Sequence, residues 1–174
     1  GFQIWKKAVD PSLIIHGPMV GQVSDSSASF WFRTDGACEV GVEINGHTGR
    51  ETVKTSEQEG FVGVVNVDGL LPGTYFSYRI FVNGKEFLDP SREFGFRTFS
   101  EPEEGAKFTI AFGVCSGFVP EYESVWELIA NYDPRAMLML GDNVYIDDPE
   151  DVQWTGDYCY SRRHSRPEWK KLIS

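Results

Sequence analysis

The sequence predicts a mixed fold: an antiparallel β-sandwich followed by the first part of an α/β domain. Three observations carry this. Seven short β-rich runs, separated by turn residues and free of helical spacing, occupy most of the first hundred positions. A polar, proline- and glycine-containing stretch, Ser100-Glu-Pro-Glu-Glu-Gly-Ala106, then interrupts the pattern. Beyond it lie two apolar runs with a helical pattern between them, the order of a parallel strand–helix–strand unit. The predicted organisation is a lead-in over 1–12, a sandwich over 13–99, a linker over 100–106 and the α/β part over 107–174.

In the first region the predicted strands are Ile14–Val20, Ala28–Arg33, Cys38–Ile44, Glu51–Lys54, Phe61–Val67, Thr74–Val82 and Glu93–Thr98. Asp35-Gly36, Asn45-Gly46, Asp68-Gly69, Pro72-Gly73 and Asn83-Gly84 supply the breaks, because glycine and asparagine tolerate turn dihedrals. Alternation of apolar and polar side chains is clean in Ser29-Phe-Trp-Phe-Arg33 and in Tyr75–Phe81, as expected for strands with one buried face. Leu70-Leu-Pro-Gly-Thr-Tyr-Phe resembles the E–F corner of fibronectin type III domains, with Leu70, Pro72, Thr74 and Phe76 at the matching positions. Phe76 stands where that family has a tyrosine, so the corner lacks its usual hydroxyl unless Tyr78 supplies one.

In the second region Phe108, Ile110, Phe112 and Val114 alternate with the small Thr109, Ala111 and Gly113, which predicts a strand covered on both faces. Tyr122, Val125, Trp126, Ile129 and Tyr132 recur at helical spacing, predicting a helix over Glu121–Asn131 that stops before Asp133-Pro134. Ala136–Gly141 is the second strand. Helix starts are predicted at Asp147–Asp151 and at Ser165-Arg-Pro-Glu168. Two parallel strands make too small a sheet for a closed core, so the remainder of this domain is expected from sequence outside the chain.

Composition narrows the partners. The net charge of −10 speaks against nucleic-acid or anionic-membrane surfaces, which need clustered Lys and Arg. No apolar run reaches the about 18 residues of a membrane span. Cys38, Cys115 and Cys159 are too widely spaced for a zinc motif or a disulfide framework.

Each of the two apolar runs stops at a residue able to hold a metal: Cys115 after the first, Asp142 after the second. Ligands of α/β folds gather at the carboxyl ends of parallel strands, and neighbouring strands lie about 4.8 Å apart. The Cys115 thiolate and the Asp142 carboxylate can therefore reach one ion, and Asp142 has two oxygens with which to bridge a second. Tyr145 can return over the same point if the chain turns there. Asn143 can touch a bound substrate or shape the turn. The plainer alternatives are a small strand-end cysteine, a turn aspartate and a packed tyrosine. Asp147, Asp148, Glu150 and Asp151 read as a solvated helix start, and Arg162, Arg163 and Arg166 as an exposed basic face. Ser116 has no base beside it.

Phe112-Gly-Val-Cys-Ser116, a helix, and then Leu138-Met-Leu-Gly-Asp-Asn-Val-Tyr-Ile-Asp147, all behind a fibronectin-like sandwich, resemble the alkaline phosphatase D (PhoD-like) branch of the metallophosphoesterases. Purple acid phosphatases share Gly-Asp-x-x-Tyr but have aspartate in place of Cys115. The resemblance implies that Cys115 and Tyr145 bind a ferric ion, which Asp142 bridges to one or two divalent ions, calcium by preference. It implies hydrolysis of phosphate monoesters or diesters by a metal-held hydroxide, in a secreted or periplasmic setting. The family's later Asp- and His-rich ligand blocks have no counterpart here, so the 174 residues alone are expected to be inactive. Two other readings compete: a non-catalytic sandwich that binds protein or carbohydrate, and a receiver-like phosphoacceptor domain, which would want an acidic pair where Val114-Cys115 stand.

Overall fold

A computed structural model describes residues 14–89, 93–101, 105, 107–116 and 122–143. The chain divides into two units, Gly1–Glu101 and Pro102–Ser174.

The first unit contains β1 (Ile14–Gly21), β2 (Ser27–Thr34), β3 (Glu39–Ile44), β4 (Glu51–Lys54), β5 (Val62–Asp68), β6 (Tyr75–Val82), β7 (Lys85–Phe87) and β8 (Gly95–Arg97). One sheet runs β1-β2-β5; the other runs β4-β3-β6, with β7 and β8 both on the free edge of β6. Every pairing in this unit is antiparallel. The alternation read from the sequence places Ala28, Phe30 and Phe32 of β2 and Val65 and Val67 of β5 in one buried cluster with Val40, Val42 and Ile44 of β3 and Phe76, Tyr78, Ile80 and Val82 of β6. A core supplied by one face of each sheet is consistent with a β-sandwich. Phe30 lies edge-on to Tyr78 (4.9 Å) and to Phe96 (5.5 Å), the arrangement that aromatic quadrupoles favour.

Strand β7 is one element beyond the seven predicted. Its turn is Asn83-Gly84, with φ of 48° and 77°, and two positive φ values in a two-residue loop match the right-handed twist of a hairpin. The strand is three residues long on an edge and only Phe87 is partly buried, so no alternation announces it. A single 3-10 turn at Glu57–Glu59 was likewise too short to leave a periodic signal.

The corner before β6 is closed by threonine. Fully buried Thr98 accepts the Thr74 N–H at 3.0 Å and donates its hydroxyl to the Leu71 carbonyl at 2.6 Å. Thr74 in turn donates to the Pro72 carbonyl at 2.8 Å. The hydroxyl missing at Phe76 is thus replaced from β8's end of the chain, and Tyr78 packs in the aromatic core instead. Where β5 approaches β4, a Cβ on Gly63 would stand 2.8 Å from Val53 Cγ1 and 3.2 Å from Thr55 Cγ2, so glycine is what lets the two strands come together.

The second unit contains β9 (Ile110–Gly113), α1 (Val125–Ala130) and β10 (Ala136–Met139). The two strands pair in parallel with Ile110 opposite Ala136 and Gly113 opposite Met139. The helix is shorter than expected: Tyr122–Ser124 form only a turn, and Glu121 lies outside the described residues. The expected covering of both strand faces is not observed. Ile110, Phe112, Val114, Leu138 and Leu140 are exposed, Phe112 by 72%. A two-stranded sheet has few neighbours to bury a second face. Of the predicted helical stripe Trp126 is buried, with its indole N–H on Glu123 at 2.7 Å, while Tyr122, Val125 and Tyr132 face solvent. Among the described residues no helix is long and apolar enough to cross a membrane.

Candidate metal centre

Pairing between β9 and β10 continues past their carboxyl ends. Leu140 N–H donates to the Gly113 carbonyl (2.9 Å), Cys115 N–H to Gly141 (3.3 Å) and Ser116 N–H to Asp142 (3.0 Å). These bonds carry the two segments forward side by side until Cys115 and Asp142 are neighbours. Both residues then adopt left-handed backbone, with φ of 56° and 49°, which turns each chain out of the strand direction. Aspartate visits this region readily, but cysteine does so at a cost of about 1–3 kcal/mol, a form of strain that gathers at ligand-holding turns. Gly141, with φ of 134°, occupies a conformation that a side chain would strain.

The result is a single pair of donors. Cys115 Sγ lies 3.4 Å from Asp142 Oδ2, and the thiol donates to the carboxylate. The cysteine is exposed, not packed into a core. An S···O separation of 3.4 Å is what two adjacent ligands show on one ion when the bonds are about 2.0–2.3 Å. A cation held by both atoms would replace this hydrogen bond, and a trivalent ion would displace the thiol proton by stabilising the thiolate. The pair fits a cation as two of its ligands. Among the described residues no group of three or more His, Cys, Asp and Glu forms.

Asn143 is exposed and follows Asp142 directly. Tyr145 lies outside the described residues, as do Asp147, Asp148, Glu150, Asp151, Arg162, Arg163 and Arg166. Ser116 contributes its backbone N–H to the pairing between the strand ends, a role its side chain did not suggest.

A second polar cluster sits on the first unit. Glu43 is held by Arg50 Nη2 at 3.0 Å and by Arg79 Nη2, while Arg79 Nη1 also reaches Glu86 at 3.9 Å. The Arg50 guanidinium lies 3.4 Å above the Phe81 ring. The Arg50 and Arg79 guanidiniums hold the Glu43 carboxyl below the usual carboxylate range. This cluster escaped the sequence reading, because it needs the β3–β6 register that puts Glu43 opposite Arg79. Next to it, a surface cleft of about 450 Å³ is bordered by Asn45, His47, Ser77 and Arg79.

The family model described as "Domain of unknown function (DUF7800)" matches residues 11–100. No curated protein matches the sequence. Among solved structures, that of PhoD superposes with a TM-score of 0.75 at 16% identity over 95% of this chain, which is a likeness of fold. The chain spans 38% of that structure's length. The sensor domain of the anti-sigma factor RsgI4 in Pseudobacteroides cellulosolvens matches with a TM-score of 0.38 at 14% identity, covering 53% of this chain and 98% of its own. The carbohydrate acetylesterase XAC1771 from Xanthomonas citri matches at 0.35 and 12%, covering 67% of this chain and 36% of its own. Superpositions that poor carry no argument.

Proposed function

We propose that this chain, which belongs to the family of the domain of unknown function DUF7800, contributes the sandwich and the first metal ligands of a phosphoesterase of the alkaline phosphatase D type. The observation that carries the reading is the approach of Cys115 Sγ to Asp142 Oδ2, 3.4 Å apart at the ends of adjacent parallel strands. The fold shared with PhoD supports a phosphoesterase-related origin. In this reading residues 13–99 are the fibronectin type III-like sandwich, 100–106 the linker and 107–174 the opening of an α/β metallophosphoesterase domain.

Cys115, Asp142 and Tyr145 would hold a ferric ion, and the second oxygen of Asp142 would help to hold calcium beside it. The chemistry supplied there is Lewis-acid activation of water and of the phosphoryl oxygens for in-line displacement at a phosphate mono- or diester. The work of this chain is to bind and position. Cys115 donates its thiol hydrogen to Asp142 Oδ2, which orients the sulfur toward the carboxylate it would join as a ligand. The Asn143 carboxamide, beside Asp142 in sequence and exposed, donates to a substrate phosphate oxygen.

Metal analysis and phosphoesterase assay of the complete gene product, with Asp142→Ala beside wild type, test the reading. Loss of both iron and activity in the variant is expected. If both survive the substitution the assignment fails, and a wild-type protein inert with every metal would favour the non-catalytic sandwich.

A further inference from the structure

Two Asn-Gly steps stand in turns of the first unit, Asn45-Gly46 after β3 and Asn83-Gly84 between β6 and β7. In such a step the glycine amide nitrogen can attack the asparagine side-chain carbonyl, since glycine has no Cβ to obstruct the approach. The two sites are alike in sequence and differ in their surroundings.

Asn45 is exposed, and its side chain makes no hydrogen bond among the described residues. The Gly46 N–H has no acceptor there either. A Cβ built at Gly46 would meet nothing within 4 Å, so solvent reaches the step freely. The Asn45 N–H is held by the Ser77 carbonyl at 2.9 Å and the turn by the His47 N–H on the Ile44 carbonyl at 3.1 Å, but neither bond engages the Asn45 side chain. Asn83 is fastened at two points. Its Oδ1 accepts the Glu39 N–H at 3.0 Å, and its own N–H donates to the Glu39 carbonyl at 2.8 Å. With φ at 48° its backbone is locked in the hairpin turn. Rotation of the side chain to bring its carbonyl carbon to the Gly84 nitrogen must first break the bond to the Glu39 N–H.

We propose that Asn45 is a self-modification site from which Asn83 is protected by the fold. The Gly46 amide nitrogen loses its proton to solvent base and bonds to Asn45 Cγ; the side-chain nitrogen departs as ammonia, leaving a cyclic imide. Water then opens the ring at either carbonyl, giving aspartate or isoaspartate, with no oxidant or reductant required. The product adds one negative charge to a chain of net charge −10, at the edge of the cleft that Arg79 and His47 border. The isoaspartate form also lengthens the backbone inside the turn closed by Ile44 and His47.

The test is peptide mapping by mass spectrometry after incubating the purified 174-residue chain in mildly alkaline buffer. Trypsin separates the two steps, since residues 34–50 hold Asn45 and residues 80–85 hold Asn83. The amide-to-acid mass change should accumulate in 34–50 on the order of tenfold faster than in 80–85, because displacement from near-attack geometry slows an intramolecular reaction by that much or more. In urea the two rates should converge, and Asn45→Gln should abolish conversion of 34–50. Equal rates in the folded chain, faster conversion of 80–85, or an Asn45 that stays intact while the urea-unfolded chain converts would each overturn the proposal.

Discussion

Replacing Thr98 with valine keeps the shape of the side chain and deletes the buried hydroxyl that ties the corner before β6 to the end of β8. That hydroxyl accepts the Thr74 N–H at 3.0 Å and donates to the Leu71 carbonyl at 2.6 Å, from a side chain with 0% exposure. Each neutral hydrogen bond contributes about 1 kcal/mol net, and a backbone group left dry and unpartnered costs about 1–3 kcal/mol. Both bonds are only partly buried, so water can reach part of the gap. A loss of about 2 kcal/mol follows. Thr98→Ser keeps both bonds and gives up one buried methyl group, worth about 0.8 kcal/mol. Urea unfolding of the full chain, followed by far-ultraviolet circular dichroism, reads both values, and the m-value should stay constant because the area exposed on unfolding does not change. Amide exchange at Thr74 should accelerate in the valine variant alone. If Thr98→Val costs no more than Thr98→Ser, the hydroxyl does not hold the corner.

Further expectations can be checked in the same protein. Gly63→Ala places a methyl group 2.8 Å from Val53 Cγ1 and should destabilise the sandwich by about 1–3 kcal/mol, since a β-branched neighbour on a strand has little room to yield; an unchanged urea midpoint would contradict that. Glu43 has its carboxyl pKa depressed by Arg50 and then Arg79, so its contribution is complete above the ordinary carboxylate pKa and is lost as pH falls below it. The stability gap between wild type and Glu43→Gln should accordingly narrow on acidification, and a gap that widens would reverse the sign of the argument. Cys115→Ala in the complete gene product should lower iron content and remove sulfur-to-iron absorption; retention of that absorption would assign it to another thiol. The 174-residue chain by itself should hydrolyse no phosphoester, as measured with a chromogenic monoester and diester, because Cys115, Asp142 and Tyr145 are fewer ligands than the resembled family's two-metal chemistry uses.

What the sequence determined by itself is whatever a short window can encode. Period-two alternation in Ser29–Arg33 and Tyr75–Phe81 already assigned Phe30, Phe32, Phe76, Tyr78 and Ile80 to the buried faces, because a strand's geometry sends successive side chains to opposite sides. The ends of the two apolar runs likewise marked Cys115 and Asp142 as strand-end neighbours, since parallel pairing brings such ends together. Tertiary structure decided what depends on partners far apart in the chain. Thr98 reaches Leu71 across 27 positions, and Glu43 meets Arg79 across 36. No local pattern specifies those pairings; they exist once the sheet registers are set. Burial in the second unit follows the same rule. The alternation of Ile110, Phe112 and Val114 marked one face of a strand, but whether that face is covered depends on what packs against it, and in this structure it is open. Periodicity names a face, and only neighbouring layers can bury it.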